Sequence, residues 1–234
     1  MKVTLLNFTP NPEKTIALSA KLCYSDSTVG ELEDRVKGVS LEKFLGKILK
    51  MGHTSVLEHA GFTFGIEGVS RATTHQLVRH RLASYSQQSQ RYVSPKANEY
   101  VIPPSIEGDA AMSKKFKDHA SRVYALYREM TKAGIPKEDA RYILPNAACT
   151  KIIVTMNARE LLHFFNLRCC ERAQWEIREM ATRMLALAKK EAPVIFSSAG
   201  PACVSGPCSE GEMTCGMPGE IREKFKNLSP LPSS

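Results

Sequence analysis

The stretch RHRLASYSQQSQRY, residues 79–92, combines dense positive charge with almost no side chains that could build a hydrophobic core. A strand starting at Ala83 would send successive side chains to opposite faces, and Ser and Gln residues would stand on both faces. Neither face is apolar, and buried polar groups need hydrogen-bond partners. Such a strand therefore belongs at a solvated edge, at a subunit interface or against a polar ligand.

The residues before this strand favour the ligand interpretation. A helix is predicted to start at Ser70, and residues three to four apart on it would share one face, as Gln76, Arg79 and His80 would. Ser and Gln side chains donate hydrogen bonds to phosphate and to a base, while Arg neutralises charge. Because three arginines and a histidine converge at a helix-to-strand junction, we interpret the stretch as a ligand-binding surface.

Outward from this stretch, the hydrophobic pattern predicts strands and helices in mixed order. The predicted strands are residues 2–8, 60–70, 83–93 and 150–157, the last of them buried. The predicted helices are residues 12–23, 41–52, 71–82, 109–133, 137–144, 158–170 and 173–192, with Asn11, Ser40 and Ser70 as N-caps. Because strands and helices do not alternate strictly, the pattern indicates an α+β domain.

The domain organisation is predicted as one catalytic domain and a tail. Residues 1–195 contain no internal repeat and no clear linker, whereas residues 196–234 are rich in Gly, Pro, Ser and Cys and are expected to be irregular. Three of the seven cysteines lie in this tail: Cys203, Cys208 and Cys215. Their spacing contains no C-x2-C pair, so support for a zinc site is weak and a disordered or surface-packed tail is favoured. Metal binding by the three thiols together with His, or across chains, stays open, and no role is assigned to them.

Composition limits the class of protein without choosing a function. The net charge of +8 favours an anionic partner, which includes nucleic acid, phosphorylated small molecules and anionic lipid, although solubility alone also explains it. There is no apolar run of membrane-spanning length. The apolar N-terminus is interrupted by Asn7, Pro10 and Pro12 and is interpreted as a strand instead of a signal peptide, so we expect a cytoplasmic protein.

The arginine-rich stretch also matches a long and unusual motif. Arg79-His80-Arg81, followed after seven residues by Ser89 and then by Arg91, resembles the signature of flavin-dependent thymidylate synthases. Further segments resemble that family in order and spacing: HTSVLEH at 53–59, LPNAACTKIIVTMNAR at 144–159, FFNLR at 164–168 and AQWEIR at 173–178. The resemblance covers roughly residues 1–195.

The resemblance implies a transferase of nucleotide biosynthesis with the family's α+β fold, a mixed or antiparallel sheet packed with several helices. It would convert dUMP to dTMP, with methylenetetrahydrofolate as the carbon donor and reduced FAD as the hydride donor. NADPH would reduce the flavin, and no enzyme nucleophile would attack the pyrimidine. The family also implies a homotetramer with active sites at subunit interfaces.

The resemblance further implies roles for individual residues. The flavin would be held by Ser55, Arg79, His80, Arg81, Gln87, Asn166 and Arg168. The substrate dUMP would be held by Gln76, Arg79, Gln87, Gln88, Ser89, Gln90, Arg91, Lys151 and Arg178. Catalysis would involve His53 near the flavin ring and folate, and Arg178 at the uracil edge, where a fixed cation favours the N3-ionised pyrimidine and activates C5.

Two positions depart from the family pattern. Lys151 stands where the family often has Arg, which keeps the charge and loses the bidentate fork. Arg172 stands where many relatives have His, so a flavin contact is not carried over to it.

Two other interpretations compete with these assignments. His53, His59 and Glu58 provide too few ligands at the wrong spacing for a zinc site. A basic nucleic-acid-binding module is the alternative to the enzyme, but the basic residues are scattered along the chain.

Overall fold

The computed structural model describes residues 1–96 and 99–229. Its architecture is α+β, with a four-stranded antiparallel sheet in the order β1-β2-β4-β3. The strands are β1 (Lys2–Phe8), β2 (Gly61–Ser70), β3 (Ala83–Gln87) and β4 (Cys149–Asn157). The predicted fold class is therefore confirmed, with β3 as an edge strand.

The α-helices are numbered α1 to α11 in chain order. They are Pro12–Leu22, Val29–Lys37, Leu41–Lys50, Arg71–Leu77, Pro104–Glu107, Ala110–Lys132, Lys137–Ala140, Ala158–Arg168, Trp175–Glu191, Ala202–Ser205 and Pro218–Lys226. Short 3-10 helices occur at Thr54–His59, Arg141–Ile143 and Gly211–Met213. Within the described ranges, no helix is both long and apolar enough to cross a membrane.

The chain divides into two compact units, which are described separately. The first unit comprises Met1–Lys2, Ile66–Arg79 and Tyr85–Ile153. The second unit comprises Val3–Gly65, His80–Ser84 and Val154–Ser234, of which residues 230–234 lie outside the described part.

The first unit is built around the long helix α6. The Asp109 carboxylate caps it by accepting from the amides of Ala111 and Met112. Tyr124 and Tyr127 are buried on its apolar face, and the Tyr124 hydroxyl donates to the Glu99 carbonyl at 2.7 Å. Burial raises the pKa of Tyr124 to about 12, so this phenol remains a neutral hydrogen-bond donor.

The second unit packs α1, α3, α8 and α9 around aromatic side chains. Phe196 contacts both Phe62 of β2 and Phe165 of α8 in edge-to-face geometry. The amide of Ala158, at the start of α8, donates to the Ala60 carbonyl at 2.8 Å. These contacts fix the start of α8, whose last turn carries Asn166 and Arg168 of the predicted flavin site.

Most predicted elements are confirmed, and the caps at Ser40 and Ser70 accept from the amides of Lys43 and Thr73. Three sequence predictions need correction. Helix α4 ends at Leu77 instead of continuing to residue 82, because the Leu77 carbonyl accepts from the Tyr85 hydroxyl at 2.8 Å. The strand predicted over 83–93 ends at Gln87, where turns begin. The strand predicted as buried, β4, alternates between buried and more exposed residues.

The sequence prediction also missed ordered structure in the second unit. Helix α2 was not predicted, although Thr28 and Glu31 form a capping box at its start. The tail predicted as irregular, residues 196–234, contains α10 and α11. Ile221 and Phe225 of α11 are buried, which explains why this helix is ordered. The division into a catalytic domain of residues 1–195 and a tail stays a prediction.

Candidate active site

In the first unit, the polar strand β3 is accommodated because its half-buried polar side chains have internal partners. The Gln87 side-chain amide donates to the hydroxyls of Thr74 at 3.0 Å and Thr150 at 3.3 Å. The backbone amide of Gln88 donates to the Lys151 carbonyl at 3.0 Å, while Gln88 itself is exposed. The predicted ligand residue Gln87 is thus fixed to its own unit, and Gln88 faces solvent.

The residues after β3 form a tight turn that presents Arg91. The Ser89 hydroxyl accepts from the Arg91 amide at 3.2 Å, and the Ser89 carbonyl accepts from the Val93 amide at 3.0 Å. The exposed Arg91 guanidinium donates from Nε to Glu138 at 2.7 Å and lies over the Tyr92 ring. A cation held by an exposed carboxylate can exchange that partner for a phosphate at little cost.

Three further predicted ligand residues of the first unit occupy separate positions. Gln76 is half-buried on α4, and its side-chain amide lies 3.5 Å from the Ala72 carbonyl. Lys151 is exposed, with its ammonium 3.4 Å from Glu67. Arg79 is exposed and follows the end of α4. The predicted helix face shared by Gln76, Arg79 and His80 is therefore wrong, because the helix ends before residue 79.

In the second unit, His80 is buried in a network with two residues of α8. Its Nδ1 lies 3.2 Å from the Glu160 carboxylate, and the Arg168 Nε donates to its Nε2 at 3.0 Å. The ring also packs edge-on against Phe164. His80 therefore positions Arg168 through one nitrogen and is held by Glu160 through the other.

This network determines the protonation of His80. The Arg168 guanidinium can only donate, so His80 Nε2 accepts, and Nδ1 carries the proton that is donated to Glu160. Burial lowers the pKa of His80, and the nearby positive charge of Arg168 lowers it further, against the opposing effect of Glu160. The imidazole is therefore neutral near pH 7, with a single assigned tautomer.

Two residues close to this network in sequence face solvent. Arg81 follows His80 and is exposed, and Asn166 is exposed on α8 two residues before Arg168. Both residues are therefore accessible to a ligand.

The HTSVLEH segment forms a 3-10 helix in the same unit. His53 lies at its start and is exposed, with Nδ1 3.0 Å from the Tyr24 hydroxyl. Ser55 is exposed, and Glu58 forms an ion pair with Arg159. Over residues 1–96 and 99–229, no group of three or more His, Cys, Asp or Glu side chains is placed to hold a single metal ion.

Arg178 lies in the first turn of α9 and is bound twice by Glu171. Its Nη1 donates to the Glu171 carboxylate at 2.8 Å and to the Glu171 carbonyl at 2.7 Å. Glu171 also forms an ion pair with Lys224 of α11 at 3.4 Å. The guanidinium is only partly exposed, and its orientation is fixed before any ligand binds.

Sequence reasoning identified the cations and missed the carboxylates that hold them. These carboxylates are Glu138, Glu160 and Glu171. A capping position marks Glu160, whose amide donates to the Asn157 side chain, but nothing in the sequence pattern links it to His80. The structure brings together His80 and Arg168 in one unit, and Gln87, Gln88 and Lys151 along β3 and β4 in the other.

Comparisons with known proteins agree with the resemblance in the motifs. A family model described as thymidylate synthase complementing protein matches residues 4–194. A flavin-dependent thymidylate synthase of Geobacter sulfurreducens is 54% identical over 231 residues, which cover 98% of this chain and 100% of the relative. Proteins with the same name from Clostridium tetani and Pyrococcus furiosus are 48% and 47% identical, over 96% and 98% of this chain and 97% and 98% of their own lengths.

Proposed function

Because the chain belongs to the family of flavin-dependent thymidylate synthases, we propose that it converts dUMP to dTMP with methylenetetrahydrofolate as the carbon donor. The observation that carries this proposal is the near full-length similarity to the Geobacter sulfurreducens protein of that name. When bound, FAD supplies the hydride after its own reduction, for which we propose NADPH. The protein's contribution is to align the ligands and to stabilise charge.

The first unit supports binding of dUMP through its exposed polar surface. Arg91 and Lys151 are exposed cations whose carboxylate partners, Glu138 and Glu67, are also exposed. The phosphate of dUMP would take the place of a carboxylate on Arg91, since charge-assisted bonds to phosphate are strong. Ser89 would act as a hydrogen-bond donor to the phosphate, and Gln76, Gln88 and Gln90 would contact the nucleotide.

The second unit supports binding of FAD through cations beside a rigid network. Among the described residues, Arg81 forms no ion pair with a carboxylate, so its exposed charge suits a flavin pyrophosphate. Arg168 would contact the flavin in an orientation set by His80. His80 itself is buried, so its contribution would be to position Arg168. Ser55 and Asn166 add exposed polar groups.

Two further cations complete the proposed division of roles. In the first unit, Arg79 would reach both ligands from its exposed position after α4. In the second unit, Arg178 would lie at the uracil edge, where its fixed charge favours the N3-ionised pyrimidine and so promotes attack by C5. The Glu171 carboxylate keeps this guanidinium in one orientation. His53 would lie near the flavin ring and the folate.

Self-association into a homotetramer with shared active sites is also part of the proposal. Large apolar or aromatic side chains are strongly exposed in each unit: Tyr92 and Tyr142 in the first, and Leu82 in the second. Aromatic side chains such as these tyrosines are enriched where subunits meet. A molecular mass from light scattering that shows an active, stable monomer would contradict the proposed homotetramer. We also propose a cytoplasmic location for the protein.

An anaerobic flavin assay tests the proposed activity. The protein is loaded with FAD, reduced with NADPH, and then mixed with dUMP and methylenetetrahydrofolate. Reoxidation of the flavin should require both additions together, because the hydride leaves the flavin only when both ligands are present. A protein that takes up no FAD but binds DNA in a salt-dependent manner would support the nucleic-acid-binding module instead.

A further inference from the structure

Four cysteines of the second unit come from three separate places in the sequence. Cys170 lies just after α8, Cys203 lies on α10, and Cys208 and Cys215 lie on either side of the 3-10 helix Gly211–Met213. None of them belongs to the proposed dUMP or FAD sites.

Helix α11 connects the segments that carry these cysteines. Arg222 donates to the carbonyls of Cys203 at 2.7 Å and Gly206 at 3.1 Å. Two residues further along α11, Lys224 forms an ion pair at 3.4 Å with Glu171, the neighbour of Cys170. Helix α11 therefore contacts both the Cys203 segment and the residue next to Cys170.

Cys208 and Cys215 lie in a segment that has no hydrophobic core of its own. Cys208 and Cys215 are partly covered, whereas the residues immediately before and after each of them are exposed. The two large apolar residues of the segment 206–217, Met213 and Met217, are 55% and 41% exposed. Small segments without a core are commonly ordered by disulfides or metals, and these cysteines form no disulfide.

The other thiols of this group contribute to the electrostatic environment of Cys170 and Cys203. Burial raises the pKa of Cys203, and repulsion from Cys208, Cys170 and Cys215 raises it further. Burial also raises the pKa of Cys170, where Glu210, Cys208 and Cys215 act in the same direction and the backbone amide of Arg172 donates to the sulfur. A soft metal centre binds cysteines as thiolates, so its binding would release the thiol protons.

We propose that Cys170, Cys203, Cys208 and Cys215 bind an iron–sulfur cluster through four thiolates. A single zinc ion requires its sulfur ligands at about 2.3 Å from one point, and no three ligands within the described residues are placed in that way. In a cluster of the four-iron type each thiolate binds a different iron atom, so the sulfur atoms stand farther apart. The amide that donates to the Cys170 sulfur is the kind of bond that such clusters receive.

Metal and sulfide analysis of the full-length chain tests this proposal without reference to activity. The protein is purified without oxygen and then incubated with sulfide and with equal amounts of ferrous and ferric iron, which supply the two oxidation states of a four-iron cluster. We expect about four iron atoms and four acid-labile sulfides per chain. The variants Cys208→Ser and Cys215→Ser should each lose most of both. Cys23→Ser, a change at an exposed cysteine whose thiol donates to the Ser19 carbonyl of α1, should retain them.

Several results would overturn the proposal. One is the absence of iron and sulfide after reconstitution of a protein whose circular dichroism shows it to be folded. Others are one zinc atom per chain in place of iron, or a disulfide between Cys208 and Cys215 in the anaerobic protein. Equal loss of iron in Cys23→Ser would show that the iron is bound elsewhere.

Discussion

Two pairs of a carboxylate with a basic side chain, His80 with Glu160 and Arg91 with Glu138, differ mainly in their exposure to water. In the second unit, the His80 and Glu160 side chains are only 4% and 7% exposed, and Arg168 completes the network. In the first unit, the Arg91 and Glu138 side chains are 52% and 48% exposed and have water around them. The chemical groups are similar, but their consequences for the protein are opposite.

The difference follows from the cost of removing a polar group from water. In the buried network each group needs its partner, because an unsatisfied buried donor or acceptor costs about 1–3 kcal/mol. An exposed ion pair contributes about 0.2–1 kcal/mol, since water replaces either partner. The network of His80 is therefore structural, whereas the guanidinium of Arg91 remains available to a ligand.

The largest effect is expected at the intermediate case, Arg178 with Glu171, whose side chains are 26% and 21% exposed. Arg178→Ala should slow dTMP formation by about 10²–10³-fold, because it removes a fixed charge that stabilises the transition state. Steady-state kinetics with dUMP measure this loss, and flavin absorbance should show unchanged FAD binding. Arg183→Ala is the control, since Arg183 is bound by Glu179 on the same helix. Loss of FAD with unchanged dUMP affinity would show that the role is misassigned.

The next largest effect is expected on stability from Glu160→Ala. The change leaves the Nδ1–H of His80 without its buried acceptor, so the free energy of unfolding should fall by about 1–3 kcal/mol. Urea unfolding measures this loss. Glu160→Gln keeps an acceptor oxygen and should lose less. If Glu160→Ala were as stable as the parent protein, the buried pair of His80 and Glu160 would not contribute more to stability than the exposed pair of Arg91 and Glu138.

Acidification should destabilise the protein through the same network. Burial and the charge of Arg168 hold the folded-state pKa of His80 below its usual value of 6.5. Above that value the imidazole is neutral in both states. As pH falls below it, the unfolded state takes up the proton first, so stability declines until the folded-state pKa is reached. Urea unfolding between about pH 8 and about pH 5.5 should show this decline, and His80→Asn should reduce it. If the free energy of unfolding of His80→Asn fell by the same amount over this pH range, groups other than His80 would be responsible.

The smallest effect is expected at the exposed pair. Glu138→Ala should change the free energy of unfolding by less than about 1 kcal/mol. The same change frees Arg91, so dUMP should bind more tightly, by a factor of up to about five. Calorimetric titration measures this gain. Asp139→Ala, at a neighbouring exposed carboxylate, controls for the change in net charge. Weaker dUMP binding in Glu138→Ala would contradict the proposal that the dUMP phosphate replaces Glu138 on Arg91.

The sequence was most informative where local rules decide the structure. The caps at Ser40 and Ser70 follow such rules, and so does the alternation of Phe62 and Phe64 in β2. The end of α4 did not follow from the local pattern. It depends on the bond from the Tyr85 hydroxyl to the Leu77 carbonyl, and helix propensity carries no information about that contact.

The candidate site shows the same limit. The arginines were visible because they are dense in one stretch, but their partners lie far along the chain. Glu160 is 80 residues from His80, and Glu138 is 47 residues from Arg91. Pairing over such separations is decided by the tertiary fold. The sequence therefore indicated which side chains are basic, and the structure was needed to distinguish the buried, neutral His80 from the exposed Arg91.

Formation of dTMP by the purified protein is the most direct test of the proposed function. The protein is supplied with dUMP, methylenetetrahydrofolate and NADPH, with and without FAD, and the nucleotide products are separated by chromatography. We expect dTMP only when flavin is bound. The absence of dTMP with every component present, or equal amounts from protein stripped of flavin, would contradict the assignment.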